Sequence, residues 1–232
     1  MFIEVKDAVK KYGKGDALVY ALDHAELGIE KGEICVILGP SGSGKSTLLN
    51  ILGGIDSPDS GSILIDGKEI TGLKPRQLTE YRRSDVGFVF QFYNLIPDLT
   101  VRENIEVVSD ISASALDADD IMKALGIEKY RARFPRELSG GQQQRTAIGR
   151  ALIKNPKILL CDELTGALDS KSSSAVLKYI EKVNQEFGTT IVIITHNEDI
   201  RLMADRIIRI KDGKVVVNEL NSNKIPSEKI GI

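Results

Sequence analysis

The chain has 232 residues, 42% of them hydrophobic and 28% charged, which suits one α/β domain of full size with a large core and a solvated surface. Lys and Arg number 31 against 33 Asp and Glu, a net charge of −2 that gives no general electrostatic reason to expect nucleic acid as a partner. The N-terminus, Met-Phe-Ile-Glu-Val-Lys, lacks the basic start and long apolar stretch of a secretory signal. No apolar run approaches the ~20 residues that cross a bilayer, so the chain is expected to be soluble and to reach a membrane only through a partner.

In chain order, residues 2–5 and the alternation of Ala25, Leu27 and Ile29 predict short antiparallel strands. Residues 34–38 are a continuous apolar run, as expected of a strand buried on both faces. Residues 62–70 predict a hairpin around Asp66-Gly67, a pair suited to a tight primed turn. Another strand is expected over 86–90. From Phe92 to Arg145 the pattern changes. Ile121 and Leu125 have helical spacing, Gly126 supplies a stop and polar turns surround them, so 92–145 reads as a helical subdomain inserted in the core. Strand 158–161 follows, then an amphipathic helix over 172–187 with Val176, Tyr179, Ile180 and Val183 on one face and Gly188 at its end. Strands 190–195 and 207–210, a turn at Asp212-Gly213 and strand 215–217 complete the pattern. Strands and helices alternating over short connections predict a mainly parallel sheet covered on both sides. Residues 2–217 are expected to form a single domain, followed by a polar, loosely ordered tail over 218–232. Cys35 and Cys161 lie in apolar strand runs and read as buried structural thiols of a reducing compartment.

Chemistry enters after the strand over 34–38. Gly39, Pro40, Ser41, Gly42, Ser43, Gly44, Lys45 and Ser46 match G-x-x-x-x-G-K-[ST] in full, just before an apolar helix start at Thr47-Leu48-Leu49. The glycines allow successive backbone amides to point inward at phosphate oxygens, and the helix N-terminus adds partial positive charge. Lys45 supplies a full charge to the β and γ phosphates, and the Ser46 hydroxyl is a magnesium ligand. Thr47, in the helix's first turn, is counted with the nucleotide-binding loop. It also occupies the last position of the competing pattern G-x-G-x-x-G, which therefore fails, leaving ATP or GTP as the ligand.

A phosphate loop needs an acid at the end of a neighbouring apolar strand. Ile158-Leu-Leu-Cys-Asp162-Glu163 supplies Asp162 to hold magnesium and Glu163 to polarise the attacking water as general base. Glu rather than Gln at 163 argues for a hydrolase over a nucleotide sensor.

Leu138, Ser139, Gly140, Gly141 and Gln142, followed by Gln-Gln-Arg145, resemble the signature of ATP-binding-cassette (ABC) proteins, and the resemblance covers residues 2–217. It implies a P-loop NTPase core with an N-terminal antiparallel β subdomain and an inserted helical subdomain. It implies ATP and Mg2+ as cofactors and a head-to-tail homodimer formed on ATP binding, in which the signature serves the γ-phosphate of the partner's ATP. It further implies that Tyr12 stacks on adenine, that Gln91 touches magnesium and links the core to the helical subdomain, and that His196 reaches the γ-phosphate. Asp169, in Ala167-Leu168-Asp169, matches the loop that contacts the opposite subunit, and can serve as a helix N-cap as well.

Residues 88–97, 138–145 and 165–170 look most like the macrolide-exporter and lipoprotein-releasing branch of that family. This branch implies an integral-membrane permease with a large extracytoplasmic domain as partner, no nucleic acid, and a place at the cytoplasmic face of the membrane held through that permease. The alternative is a mechanical ATPase of a non-transporting membrane complex, of the cell-division or signalling type. Forms with two cassettes per chain have a second phosphate loop, and DNA-repair forms have a long coiled coil between loop and signature. Here a single phosphate loop is followed, about 90 residues on, by the signature. Phe92, Tyr93, Leu95 and Ile96 are the candidate docking residues for the permease, a buried core role being the alternative for some of them. One position departs from the family pattern: Leu164 stands where proline usually follows Asp-Glu, freeing the backbone around Glu163. Thr146 and Gly149 are also unusual after the signature.

Overall fold

The computed structural model describes residues 1–112 and 114–231. The first strands, β1 (Ile3–Tyr12) and β2 (Val19–Ile29), pair antiparallel and are longer than the short segments expected. Register shifts interrupt their pairing, and Asp7 and His24 stand at φ 51° and 53°. Each irregularity breaks the two-residue alternation, so the pattern exposes only fragments of each strand. Strand β3 (Ile34–Leu38) leaves this sheet. Strands β4 (Ser60–Ile65) and β5 (Lys68–Glu69) return to it in the order β2-β1-β4-β5. Asp66 and Gly67 between them have φ 53° and 72°, the left-handed pair that an Asp-Gly hairpin turn requires.

The second sheet joins β3 to β6 (Val86–Val89), β7 (Ile158–Asp162), β8 (Thr190–Thr195), β9 (Arg206–Lys211) and β10 (Lys214–Leu220), in the order β10-β9-β3-β8-β7-β6. All neighbours are parallel except the β9–β10 hairpin. Its central strands divide their side chains between two cores. Ile34, Val36, Leu38, Leu159, Cys161, Ile191 and Ile193 face the helical side. Cys35, Ile37, Ile158, Leu160, Val192 and Ile194 face the antiparallel sheet and the helix α1 (Lys45–Leu52). A sheet covered on both faces is why these strands read as unbroken apolar runs.

Helix α2 (Pro75–Ser84) was not expected, because Tyr81 is its only buried residue and no apolar period marks it. Pro75 at its first position is the local signal it does carry. The inserted segment holds α3 (Val101–Glu106), α4 (Ala118–Ala124) and the start of α5 (Gly140–Leu152). Helix α5 runs unbroken through Arg145, the position at which the insert was expected to end. Gly149 explains part of this packing, since a Cβ there would stand 3.0 Å from Ile105 Cδ1 and 3.2 Å from Leu125 Cδ1. Helix α6 (Ser170–Phe187) ends at Gly188, φ 65°. The segment after Asn218, expected to be loose, is packed. Ser227 Oγ donates to Glu181 Oε2 at 2.6 Å, Ile225 N–H donates to Leu202 O at 2.8 Å, and Ile230 is buried. Its apolar residues lie far apart in a polar sequence, so no period announced them. Among the described residues no helix is long and apolar enough to cross a membrane.

One buried polar side chain shapes the helical insert. Asn104 is fully buried, its Oδ1 accepts from Ile96 N–H at 2.8 Å, and its Nδ2 donates to the carbonyls of Ile96, Leu99 and Thr100 at 2.8–3.1 Å. Replacing it by alanine removes four hydrogen bonds to part-buried backbone groups and leaves a cavity in place of a fully buried side chain. Asn104→Ala is expected to lower unfolding stability by about 2–3 kcal/mol in urea titration, and a loss under about 0.5 kcal/mol would contradict this role.

Candidate nucleotide site

The phosphate loop leaves β3 at its C-terminal end and enters α1, where Gly44 is the N-cap in a left-handed conformation, φ 106°. A Cβ at Gly44 would lie 2.1 Å from Ala21 O, and one at Gly39 would lie 2.2 Å from Ile210 O. Both glycines are therefore demanded by backbone packed behind the loop. Lys45 folds its ammonium over the loop and donates to Gly39 O at 2.7 Å and Pro40 O at 2.9 Å. Burial pulls the Lys45 pKa below the ordinary lysine value, and the carboxylates of Glu163 and Asp162 oppose that shift.

Two adjoining clefts share this loop. Ser41, Gly42, Lys45, Ser46, Gln91, Asp162, Glu163 and His196 line one of them. Tyr12, Val19 and Ala21 line the other with residues 42–47. Of the residues that the sequence assigned to the chain's own nucleotide end, all but Gly39 and Pro40 line one or other of these clefts, from separate stretches of chain. Tyr12 is 46% exposed, its hydroxyl donates to Asp56 Oδ2 at 2.6 Å, and Lys10 Nζ lies 5.3 Å from its ring centroid. Asp56 was not singled out in the sequence, and nothing local to it signals this anchoring.

At the end of β7, burial raises the Asp162 pKa, the neighbouring Glu163 raises it further, and Lys45 offsets part of the shift. Glu163 has φ 48°, a left-handed backbone unusual for a non-glycine residue that is neither Asn, Asp nor His. A proline at 164 would disfavour this, since it holds the residue before it extended. Leu164 instead buries its side chain in the helical-side core. The backbone freedom expected from Leu164 is thus used, and the carboxylate is held all the same. Its Oε2 accepts from Thr195 Oγ1 at 3.1 Å, and its Oε1 lies 3.0 Å from His196 Nδ1. The Glu163 side chain is 17% exposed and that of His196 72%. Thr195, immediately before His196, is a site residue that the sequence reading passed over.

The signature lies elsewhere. None of residues 138–142 lines either cleft among the described residues. Ser139 is the N-cap of α5, its Oγ accepts from Gln142 N–H, and Gln142 Oε1 accepts from Ser139 N–H at 3.0 Å. Gly140 and Gly141 are the first residues of the helix itself. Both ends of α5 meet the segment after Gln91. At its start a Cβ on Gly140 would meet Tyr93 Oη at 2.9 Å, and in its last turn Arg150 donates to Tyr93 O at 3.0 Å and Asn94 O at 2.7 Å. Asp169 caps α6 by accepting from Ser172 N–H at 2.8 Å and Ser172 Oγ at 3.1 Å, bonds that hold its carboxyl below the usual range.

A parallel sheet, a complete phosphate loop at the end of a central strand and an acidic pair at the end of a neighbouring strand together define a P-loop nucleotide-binding fold. The family described as ABC transporter matches residues 22–166. An uncharacterized ABC transporter ATP-binding protein of Methanocaldococcus jannaschii is 43% identical over 222 residues, covering 92% of this chain and 94% of the relative. The dimeric structure of a post-hydrolysis state of that protein's ATP-binding cassette, bound to ADP and Pi, superposes with a TM-score of 0.83 at 41% identity over 94% of this chain and 98% of that one. The macrolide export ATP-binding/permease protein MacB of Hyphomonas neptunium is 42% identical over 231 residues, covering 97% of this chain but only 36% of the relative. The chain spans half or less of the length of several curated relatives it matches. It belongs to the ABC transporter family of ATP-binding proteins.

Proposed function

We propose that this chain is the ATP-hydrolysing subunit of an ABC exporter, working as a head-to-tail homodimer that drives a separate membrane permease. The observation that carries the reading is the convergence of Lys45, Ser46, Gln91, Asp162, Glu163 and His196 on one cleft. Lys45 and the loop amides bind the β and γ phosphates, and Tyr12 presents its anchored ring to adenine. The Ser46 hydroxyl, the Gln91 amide oxygen and the Asp162 carboxylate are hard oxygen donors on the same cleft, a set that fits magnesium. Magnesium bound there would neutralise phosphate charge. Glu163, oriented by Thr195 and beside His196, takes the proton of the attacking water, and His196 reaches for the γ-phosphate.

Ser139 and the first amides of α5 are the groups offered to the γ-phosphate of a partner's ATP, with Asp169 at the same interface. The similarity to a cassette solved as a dimer supports this arrangement. Similarity to a macrolide export ATP-binding/permease protein supports the exporter direction and a permease partner, to which this reading adds a large extracytoplasmic domain. The chain then sits at the cytoplasmic face of the membrane, held by that permease. Phe92, 74% exposed, and the exposed Ile96 are the residues of the helical insert offered for docking. Tyr93 and Leu95 are the less suited of the four, and Tyr93 is tied to α5 through its carbonyl.

The shared site has a direct test. Ser139→Arg is expected to leave ATP affinity of the separate chain within about twofold and to cut hydrolysis by at least the ~10²-fold typical of losing one oxyanion-type donor. Hydrolysis at the parental rate would contradict the head-to-tail reading.

A further inference from the structure

Behind the phosphate loop lies the β9–β10 hairpin, whose Asp212-Gly213 turn comes some 170 residues later in the chain. Asp212 and Gly213 have φ 49° and 76° and lie outside the ladder, whose register begins at Lys211 and Lys214. Gly213 uses both of its backbone groups on other elements. Its N–H donates to Ser43 O at 3.0 Å, and its carbonyl accepts from Asp23 N–H on β2 at 3.0 Å. In a planar trans peptide the C=O and the following N–H point in opposite directions. No cis peptide occurs among the described residues. Drawing Ser43 O backward onto Gly213 therefore turns the Gly44 N–H forward, into the cleft lined by Lys45 and Ser46. Nothing larger than glycine fits at the turn, for a Cβ on Gly213 would stand 2.9 Å from Tyr20 O and 3.1 Å from Asp23 N.

We propose that Gly213 is a positioning residue for nucleotide binding, which aims the Gly44 amide at phosphate by holding the Ser43 carbonyl from behind. The inference rests on the reading of residues 39–46 as the phosphate-binding loop. It also ties the loop to β2, which carries Ala21 on the adenine side of the site, so that one turn sets both ends of the cleft.

The chain carries its own control. The Asp66-Gly67 turn has nearly the same backbone angles, φ 53° and 72°, but a Cβ on Gly67 meets nothing within 4 Å. Gly67→Ala thus incurs the same left-handed penalty away from the loop. With magnesium and ADP in calorimetry, Gly213→Ala is expected to bind about tenfold more weakly than Gly67→Ala, the scale of one misaligned hydrogen bond. Asp212→Asn, which tolerates the same turn geometry, should stay within about twofold of the parent. Equal affinities for the two glycine variants would overturn the proposal while leaving the phosphate-loop reading intact. A parent chain that binds no ADP would remove both. Should Gly213→Ala not fold, amide exchange of the parent decides. ADP at about a hundred times its Kd should slow the Gly213 and Asp23 amides at least tenfold and leave the Gly67 amide unchanged. Unaltered exchange at Gly213 would overturn the proposal.

Discussion

Glu163→Gln is expected to lower ATP turnover by roughly 10²–10⁴ and to convert a transient dimer into one that survives gel filtration in ATP. Glutamine keeps the shape of the side chain, and its amide can still take the hydrogen bond from Thr195 that the carboxylate accepts at 3.1 Å. It cannot take a proton from water. The proposed dimer is closed largely through nucleotide phosphates, so ATP acts as a ligand of the closed form and stabilises it by mass action. Hydrolysis removes the phosphate that the partner's signature helix grips, and the dimer reopens. Slowing that step should leave the closed form as the main species. The neutral amide also removes a negative charge beside Asp162, whose carboxyl Glu163 already pushes toward its protonated form. Light scattering behind size exclusion, with ATP, with ADP and without nucleotide, checks the prediction. A variant that stays monomeric in ATP, or that keeps parental turnover, would take the general-base role from Glu163.

Lys45→Ala should weaken magnesium-ATP binding by about 10²–10³, equivalent to roughly 3–4 kcal/mol, the size of a charge-assisted hydrogen bond removed from a sheltered site. Among the described residues that line the cleft with Asp162 and Glu163, Lys45 is the one lysine or arginine. Its ammonium holds two loop carbonyls, and a triphosphate would compete with them for the same donors. Removal therefore costs binding without opening the apolar core, and the variant should melt within a few degrees of the parent. Calorimetry with magnesium-ATP on the folded variant is the measurement. Unchanged affinity would refute the assignment of residues 39–46.

The departure at Leu164 bears on both results. Its side chain fills core space, while Glu163 takes a left-handed backbone that a following proline would resist. The loss of proline is therefore not a loss of order. Thr195 and His196 do from the end of β8 what a rigid neighbour in sequence would otherwise do. Two other oddities find structural reasons. Thr146 Oγ1 donates to Gln142 O at 2.9 Å within α5, and Gly149 lets α3 and α4 approach that helix. Neither touches the nucleotide end.

The amino-acid sequence by itself determined the unbroken apolar strands, the two Asp-Gly turns, the phosphate loop, the acidic pair and the signature. Each is written in a few adjacent residues whose chemistry is local: strand burial, left-handed turn geometry, or amides gathered on one phosphate. Tertiary structure alone decided the length of β1 and β2, whose bulges erase their alternation, and the existence of α2, whose single buried residue leaves no period. It also decided the anchors behind the local motifs: Asp56 on Tyr12, Thr195 on Glu163, Arg150 on Tyr93 and Asn94, and Gly213 on Ser43. These partners are distant in sequence from the groups they hold, or sit where only the sheet brings them near. Their hydrogen bonds arise from where strands end in space, and no spacing along the chain encodes that.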